Sequence, residues 1–251
     1  PNHAPLVIAE QFGTLATLFP GRIDLGLGRA PGTDRKTSQA LRRNLDGGID
    51  AFPRDVIELQ RYFQEPEPGQ RVRAIPGAGL EVPIWILGSS MFGAQLAATL
   101  GLPYAFASHF APAMLMPAIE TYRSRFQPSA QLSEPYVMVG LNVFAAETGD
   151  EARLLRTSSQ QSILRLRRGM PGQLPPPISG FEDGLTAAER QLLEQAQLCT
   201  VVGSPKVIRV GIEEFVERTG ADEVMMVSHI YDHHARLRSF ELAAKAAVPS
   251  V

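Results

Sequence analysis

Ile84-Trp85-Ile86-Leu87-Gly88-Ser89-Ser90 decides the architecture of this chain. Four apolar residues in a row predict a strand buried on both faces, as in a parallel sheet. Gly88 stops the run. A helical stretch follows over Ala94 to Leu100 and ends at Gly101, a good helix C-terminal stop. Strand, tight turn and helix in that order make one βα unit.

The same unit recurs to either side. Ile23-Asp24-Leu25-Gly26-Leu27, Tyr104-Ala105-Phe106-Ala107, Tyr136 to Ala146 and Val224-Met225-Met226-Val227 read as four further buried strands. Helices are predicted over Leu6 to Leu18, Pro53 to Phe63, Ala113 to Phe126 and His233 to Ala247, the last capped by Asp232. Another opens at Ser204-Pro205, where serine suits the cap and proline the first turn. Within it Val207, Gly211 and Phe215 share one face, with Ile208, Ile212 and Val216 beside them. Alternating strands and helices argue for a parallel α/β fold. Glu65 to Pro83 and Gly169 to Gly184, both rich in Pro or Gly, read as long excursions within one domain spanning 1–251.

Composition narrows the function. The chain has 251 residues, 44% hydrophobic and 20% charged, with a formal net charge of -2. Arginine far outnumbers lysine but forms no basic block, so no nucleic-acid partner is indicated. No apolar run approaches the roughly 20 residues of a membrane span. The one cysteine, Cys199, forms no internal disulfide, which points to a reducing, cytoplasmic setting. Lying in Leu198-Cys199-Thr200-Val201-Val202, it reads as a buried apolar residue rather than a catalytic thiol.

Chemistry concentrates where strands end. Gly28-Arg29, Gly88-Ser89-Ser90, Ser108-His109 and Ser228-His229 each follow a strand. Ligands in parallel α/β folds bind outside those carboxyl ends. At Gly88-Ser89-Ser90, free N–H groups of a helix start and two hydroxyls make a natural phosphate cradle, although ordinary capping explains serine there equally. Arg29 offers a guanidinium for paired hydrogen bonds to phosphate, or else an ion pair with Asp34. His109 and His229 are candidates for proton donation or for binding a ring ligand. His233-His234, at a helix start, reads as exposed or structural. No HExxH, CxxC or compact His/carboxylate set supports a metal site. GxGxxG, GxxxxGK[ST] and GxSxG are absent, which argues against Rossmann-type NAD binding, ATP hydrolysis and a serine elbow.

These residues resemble a known family. Ala9-Glu10-Gln11-Phe12-Gly13-Thr14-Leu15 and Pro20-Gly21-Arg22-Ile23-Asp24-Leu25-Gly26-Leu27-Gly28-Arg29-Ala30-Pro31-Gly32 look like the luciferase-like flavin-dependent monooxygenases. So do Ile84–Ser90, Gln95-Leu96-Ala97-Ala98, Ala105–Phe110 and Val202-Gly203-Ser204-Pro205. The resemblance runs from end to end. It implies a (β/α)8 TIM barrel binding FMN, usually as a homodimer. Reduced flavin, supplied by a separate reductase, would act with molecular oxygen on a small organic substrate. That is oxidoreductase chemistry on paired donors. Arg29 matches the family's flavin-phosphate arginine, and Gly88, Ser89 and Ser90 match its phosphate loop. Asn2 would face the flavin.

The resemblance also implies a gap. The family carries three βα units before the segment matching Pro1-Asn2-His3, including a Glu-His-His motif. The five strands read here would then be barrel strands four to eight, in a fragment or a shortened homologue. An open five-stranded set leaves edges that a closed barrel removes, so the expectation for the isolated chain is poor stability or self-association. Two alternatives to the monooxygenase stand beside it: a non-catalytic flavin-binding protein, and a deazaflavin (F420)-dependent reductase on the same barrel.

Overall fold

A computed structural model describes residues 3–30, 36, 37, 40 and 51–247. Asn2, Gly32 and Asp34 lie outside the described residues. The chain divides into two compact units: Pro1–Ala105 with Glu120–Tyr136, and Phe106–Ile119 with Val137–Val251.

The first unit opens with α1 (Pro5–Leu18), whose proline occupies the first turn. Next comes β1 (Leu25–Gly28), then α2 (Phe52–Phe63), which buries Phe52, Val56, Leu59 and Phe63 along one stripe. β2 (Ile84–Gly88) pairs parallel to β1, with Leu25 opposite Ile84 and Gly28 opposite Leu87. α3 (Met91–Leu100) ends at Gly101, whose φ of 62° is the left-handed stop that glycine adopts without strain. β3 (Tyr104–Phe106) follows. The excursion after α2 is anchored by close backbone approach: a Cβ on Gly13 of α1 would lie 2.2 Å from the Pro76 carbonyl oxygen.

The second unit contains a 3-10 turn (Pro112–Met114), α4 (Leu115–Arg125), which runs on past its boundary, and β4 (Val137–Ala145), whose residues are nearly all buried. β4 pairs parallel to β6 (Glu223–Val227) along its first half and to β5 (Thr200–Gly203) along its second. α7 (Pro205–Thr219) and α8 (His233–Ala247) complete the pattern. The parallel α/β class is as expected, and the five strands read from the sequence are β1 to β4 and β6.

Several details differ. β5 is an additional strand, and its first three residues are only half-buried, with Thr200 breaking the apolar run that marks the other strands. α5 (Gly149–Arg167) and α6 (Ala187–Ala196) lie between β4 and β5, in a stretch without a continuous apolar stripe. Continuous burial fails on β6, where Met225 is 53% exposed, because β4 is its only strand partner among the described residues. Leu87 of β2 is also exposed, lying over Gly26 on the neighbouring strand, which has no side chain to displace it. Ser204 sits at the α7 cap position, but its hydroxyl makes no cap bond. On α7 the buried residues are Ile208, Ile212, Phe215 and Thr219, while Val207 is exposed. Asp232 does cap α8, accepting from the Ala235 N–H at 2.8 Å.

α5 explains its own invisibility. Thr157, Ser158, Ser159, Gln160 and Gln161 are all buried. Three of the five find partners in the second excursion. Thr157 Oγ1 accepts from the Ile178 N–H at 2.9 Å, and Gln161 Nε2 donates to the Pro176 carbonyl at 2.9 Å. Gln160 and Arg156 both bind the Glu182 carboxylate. A helix buried by polar contacts carries no hydrophobic period for a sequence to reveal. None of the described helices is long and apolar enough to cross a membrane.

Candidate functional site

The first unit holds a compact strand–turn–helix cradle. Gly88 ends β2, and Ser89 and Ser90 lead into α3, all three half-buried. Ser90 is extended, with φ -148° and ψ 167°, and no side-chain cap bond closes the helix start. The first-turn N–H groups have no acceptor within a helix, so this end is electropositive.

Tyr104 buttresses the cradle from below. It is fully buried, and its hydroxyl donates to the Ser90 carbonyl at 3.2 Å. Burial pushes its phenol well above the ordinary range, so it stays a neutral donor. Its ring packs against two glycines: a Cβ on Gly88 would lie 3.4 Å from the Tyr104 Oη, and one on Gly93 3.2 Å from Cε2. Gly93, in the first turn of α3, thus lets the helix start approach the tyrosine.

Arg29 follows β1 directly. Its guanidinium carbon lies 4.1 Å from the centroid of the Phe92 ring, in the first turn of α3. Stacking uses the flat face of the guanidinium and leaves its N–H edge for an anion. The cation therefore stands beside the open helix start. No sequence signal named Phe92 or Tyr104. Their places in the turn after Ser90 and at the start of the next strand are what tie them to the cradle.

The second unit holds the two strand-end histidines. His109 follows β3 in a turn, half-buried, its ring edge-on to Phe110 at 5.3 Å. His229 follows β6. His109 is held below the ordinary imidazole range by burial first and by repulsion from the nearby His229 second. The surrounding protein also lowers His229 by desolvation, although the residue is exposed to solvent. Both are therefore neutral bases at neutral pH.

The adjoining serines turn inward. Ser108, fully buried, donates to the Gly140 carbonyl at 2.6 Å. Ser228 meets Ser239 Oγ at 3.4 Å, and Ser239 Oγ accepts from the Ala145 N–H. These two tie elements together. Asn142 on β4, one polar residue in an apolar strand, was missed. It is 6% exposed and donates to the His109 carbonyl. Cys199 is buried and burial raises its thiol, which suits an inert residue. His233 and His234 are exposed. Among the described residues no cluster of three or more His, Cys, Asp or Glu could hold a metal.

Comparison with known proteins agrees with this architecture. The family model for luciferase-like monooxygenases matches residues 1–223. A luciferase-like monooxygenase of Escherichia coli (strain K12) is 55% identical over 243 residues, covering 97% of this chain and 72% of that protein. The crystal structure of apo-MsnO8 is 34% identical and superposes with a TM-score of 0.88, covering 98% of this chain and 74% of the other. The oxygenating constituent of 3,6-diketocamphane monooxygenase from Pseudomonas putida, a type II Baeyer-Villiger enzyme solved with FMN, shares the fold. Its identity is 20% and its TM-score 0.65, over 100% of this chain and 77% of that one.

Proposed function

Because this chain belongs to the luciferase-like monooxygenase family, we propose that it is an FMN-dependent oxidoreductase that uses reduced flavin and molecular oxygen on a small organic substrate. The observation that carries the cofactor assignment is Arg29 stacked on Phe92 beside an uncapped helix start. A cation, unpaired first-turn N–H groups and two serine hydroxyls are the donor set that a phosphate monoester requires. The glycines at 88 and 93 let the turn and helix start pack directly on Tyr104, which fixes the cradle from beneath.

Arg29 neutralises the phosphate charge and fixes its orientation. The N–H groups of the α3 start donate to its oxygens without side-chain motion, since Tyr104 holds Ser90 from beneath. Reduced flavin, when bound, supplies the electrons that activate oxygen. His109 and His229, neutral bases at strand ends of the second unit, are suited to exchanging protons with a substrate or accepting hydrogen bonds from it. A separate reductase delivers the reduced flavin, consistent with the absence of a dinucleotide fingerprint.

Titration of flavin fluorescence with FMN and with riboflavin tests the phosphate role. The protein should bind FMN at least tenfold tighter than riboflavin, and Arg29→Ala should erase most of that difference. Equal affinity for the two flavins, or an unchanged ratio in Arg29→Ala, would refute the assignment.

A further inference from the structure

We infer that Asn142 is a positioning residue for His109, holding its imidazole as the tautomer protonated on Nδ1.

The geometry lies within the second unit. Asn142 Nδ2 donates to the His109 carbonyl, and more weakly to Thr200 Oγ1 at 3.4 Å. The contact with the carbonyl fixes the amide's orientation, because the flipped amide would set oxygen against oxygen. The remaining atom, Asn142 Oδ1, is an acceptor, buried and without a partner. His109 Nδ1 is likewise buried and without a partner. The ring lies against Gly140, so closely that a Cβ there would be 2.1 Å from Nδ1. Gly140 and Asn142 are two residues apart and so share one face of β4. Ser108, bonded to the Gly140 carbonyl, clamps the turn that carries His109.

One buried acceptor and one nitrogen able to donate therefore meet the same face of the same strand. Leaving both unmet is the costly arrangement that folded proteins avoid. A proton on Nδ1 lets the two be satisfied together, directly or through one enclosed water. The other tautomer would put a bare lone pair on Nδ1 beside a second acceptor. The charged imidazolium is opposed by burial and by His229.

The consequence is chemical. With Nδ1 protonated, Nε2 carries the lone pair, so His109 accepts from a ligand O–H or N–H and does not donate to a carbonyl. This last step rests on the reading of His109 as ligand-facing; the tautomer itself does not.

Long-range ¹H–¹⁵N correlation spectra of the full chain, labelled on its five histidines, test the inference. His109 is assigned by the signals lost in His109→Gln. At a pH where the ring is neutral, His109 should show a pyrrole-type Nδ1 and a pyridine-type Nε2. The reverse pattern, or an averaged one, overturns the inference. Asn142→Asp retains an acceptor and should retain the pattern. Asn142→Leu removes it and should release His109 to a mixture of tautomers. An Asn142→Leu protein that keeps Nδ1–H would deny Asn142 its role. If that variant fails to fold, the wild-type and Asn142→Asp spectra decide. FMN added to the labelled protein should shift the His109 signals. Unmoved signals would sink the ligand-facing reading while leaving the tautomer assignment intact.

Discussion

Arg29 and Phe92 stack across the gap between the end of β1 and the first turn of α3, with 4.1 Å from guanidinium carbon to ring centroid. The pair converts a flexible side chain into a fixed cation beside an electropositive helix start. A charge-assisted hydrogen bond contributes about 1.5–3 kcal/mol, roughly a ten- to hundredfold change in affinity. The stack itself contributes about 0.5–1 kcal/mol. Arg29→Ala should therefore weaken FMN binding by more than tenfold, and Phe92→Leu by only about two- to fivefold. Fluorescence titration of both variants checks the ranking, and a Phe92→Leu effect equal to that of Arg29→Ala would contradict it.

Tyr104→Phe removes one hydrogen bond and leaves the Ser90 carbonyl without its buried donor. The expected loss is about 1 kcal/mol in urea unfolding, with little change in the slope. FMN affinity should fall with it, because Ser90 loses its support. A variant as stable as the parent, with full affinity, would show that the tyrosine merely fills space.

Gly140→Ala sets a methyl group where the His109 ring lies, 2.1 Å from Nδ1. Overpacking of this kind costs about 1–3 kcal/mol. The clash has a single source, so His109→Ala in the same chain should recover most of the loss. A double-mutant cycle measured by thermal or urea unfolding reads this directly, and additive effects would argue against contact.

Glu182 should make stability depend on acidity. Its carboxyl is held below the ordinary range, first by the hydrogen bond from Gln160 and further by the Arg156 guanidinium. A depressed folded-state pKa contributes stability that is complete above the unfolded value and is lost as pH falls toward the folded one. Glu182→Gln should therefore be less stable than the parent at neutral pH, and the gap should narrow once pH drops below about 4.5. Unfolding midpoints across an acid series provide the check. A gap constant with pH would mean that the carboxylate charge plays no part.

Much of this molecule could be read before its structure. Runs such as Ile84–Leu87 and Tyr136–Ala146 announced buried strands, because apolar continuity and burial on two faces are one physical fact. The helix stop at Gly101 and the cap at Asp232 were equally plain. What escaped did so for a reason. α5 is buried through hydroxyls and amides, so no hydrophobic stripe marks it, although Thr148 accepts from the Glu151 N–H at its cap. α6 announces itself only through the Thr186–Glu189 capping box. At the site, Arg29 and the Gly88-Ser89-Ser90 turn were legible as separate features. Phe92, which joins them, was not, since a stacking partner follows from tertiary placement alone. Gly140 and Asn142 left a fainter trace, as a glycine and an amide interrupting an otherwise apolar strand.

The polar side of α5 has a consequence for inheritance. Its threonine and glutamines read the backbone and acid of residues 176 to 182, so the two stretches behave as lock and key cut together. A graft that swaps the proline-rich segment for one from a relative must carry residues 156 to 161 with it. Otherwise a row of hydroxyls and amides is stranded in the interior, and the borrowed segment has nothing to grip.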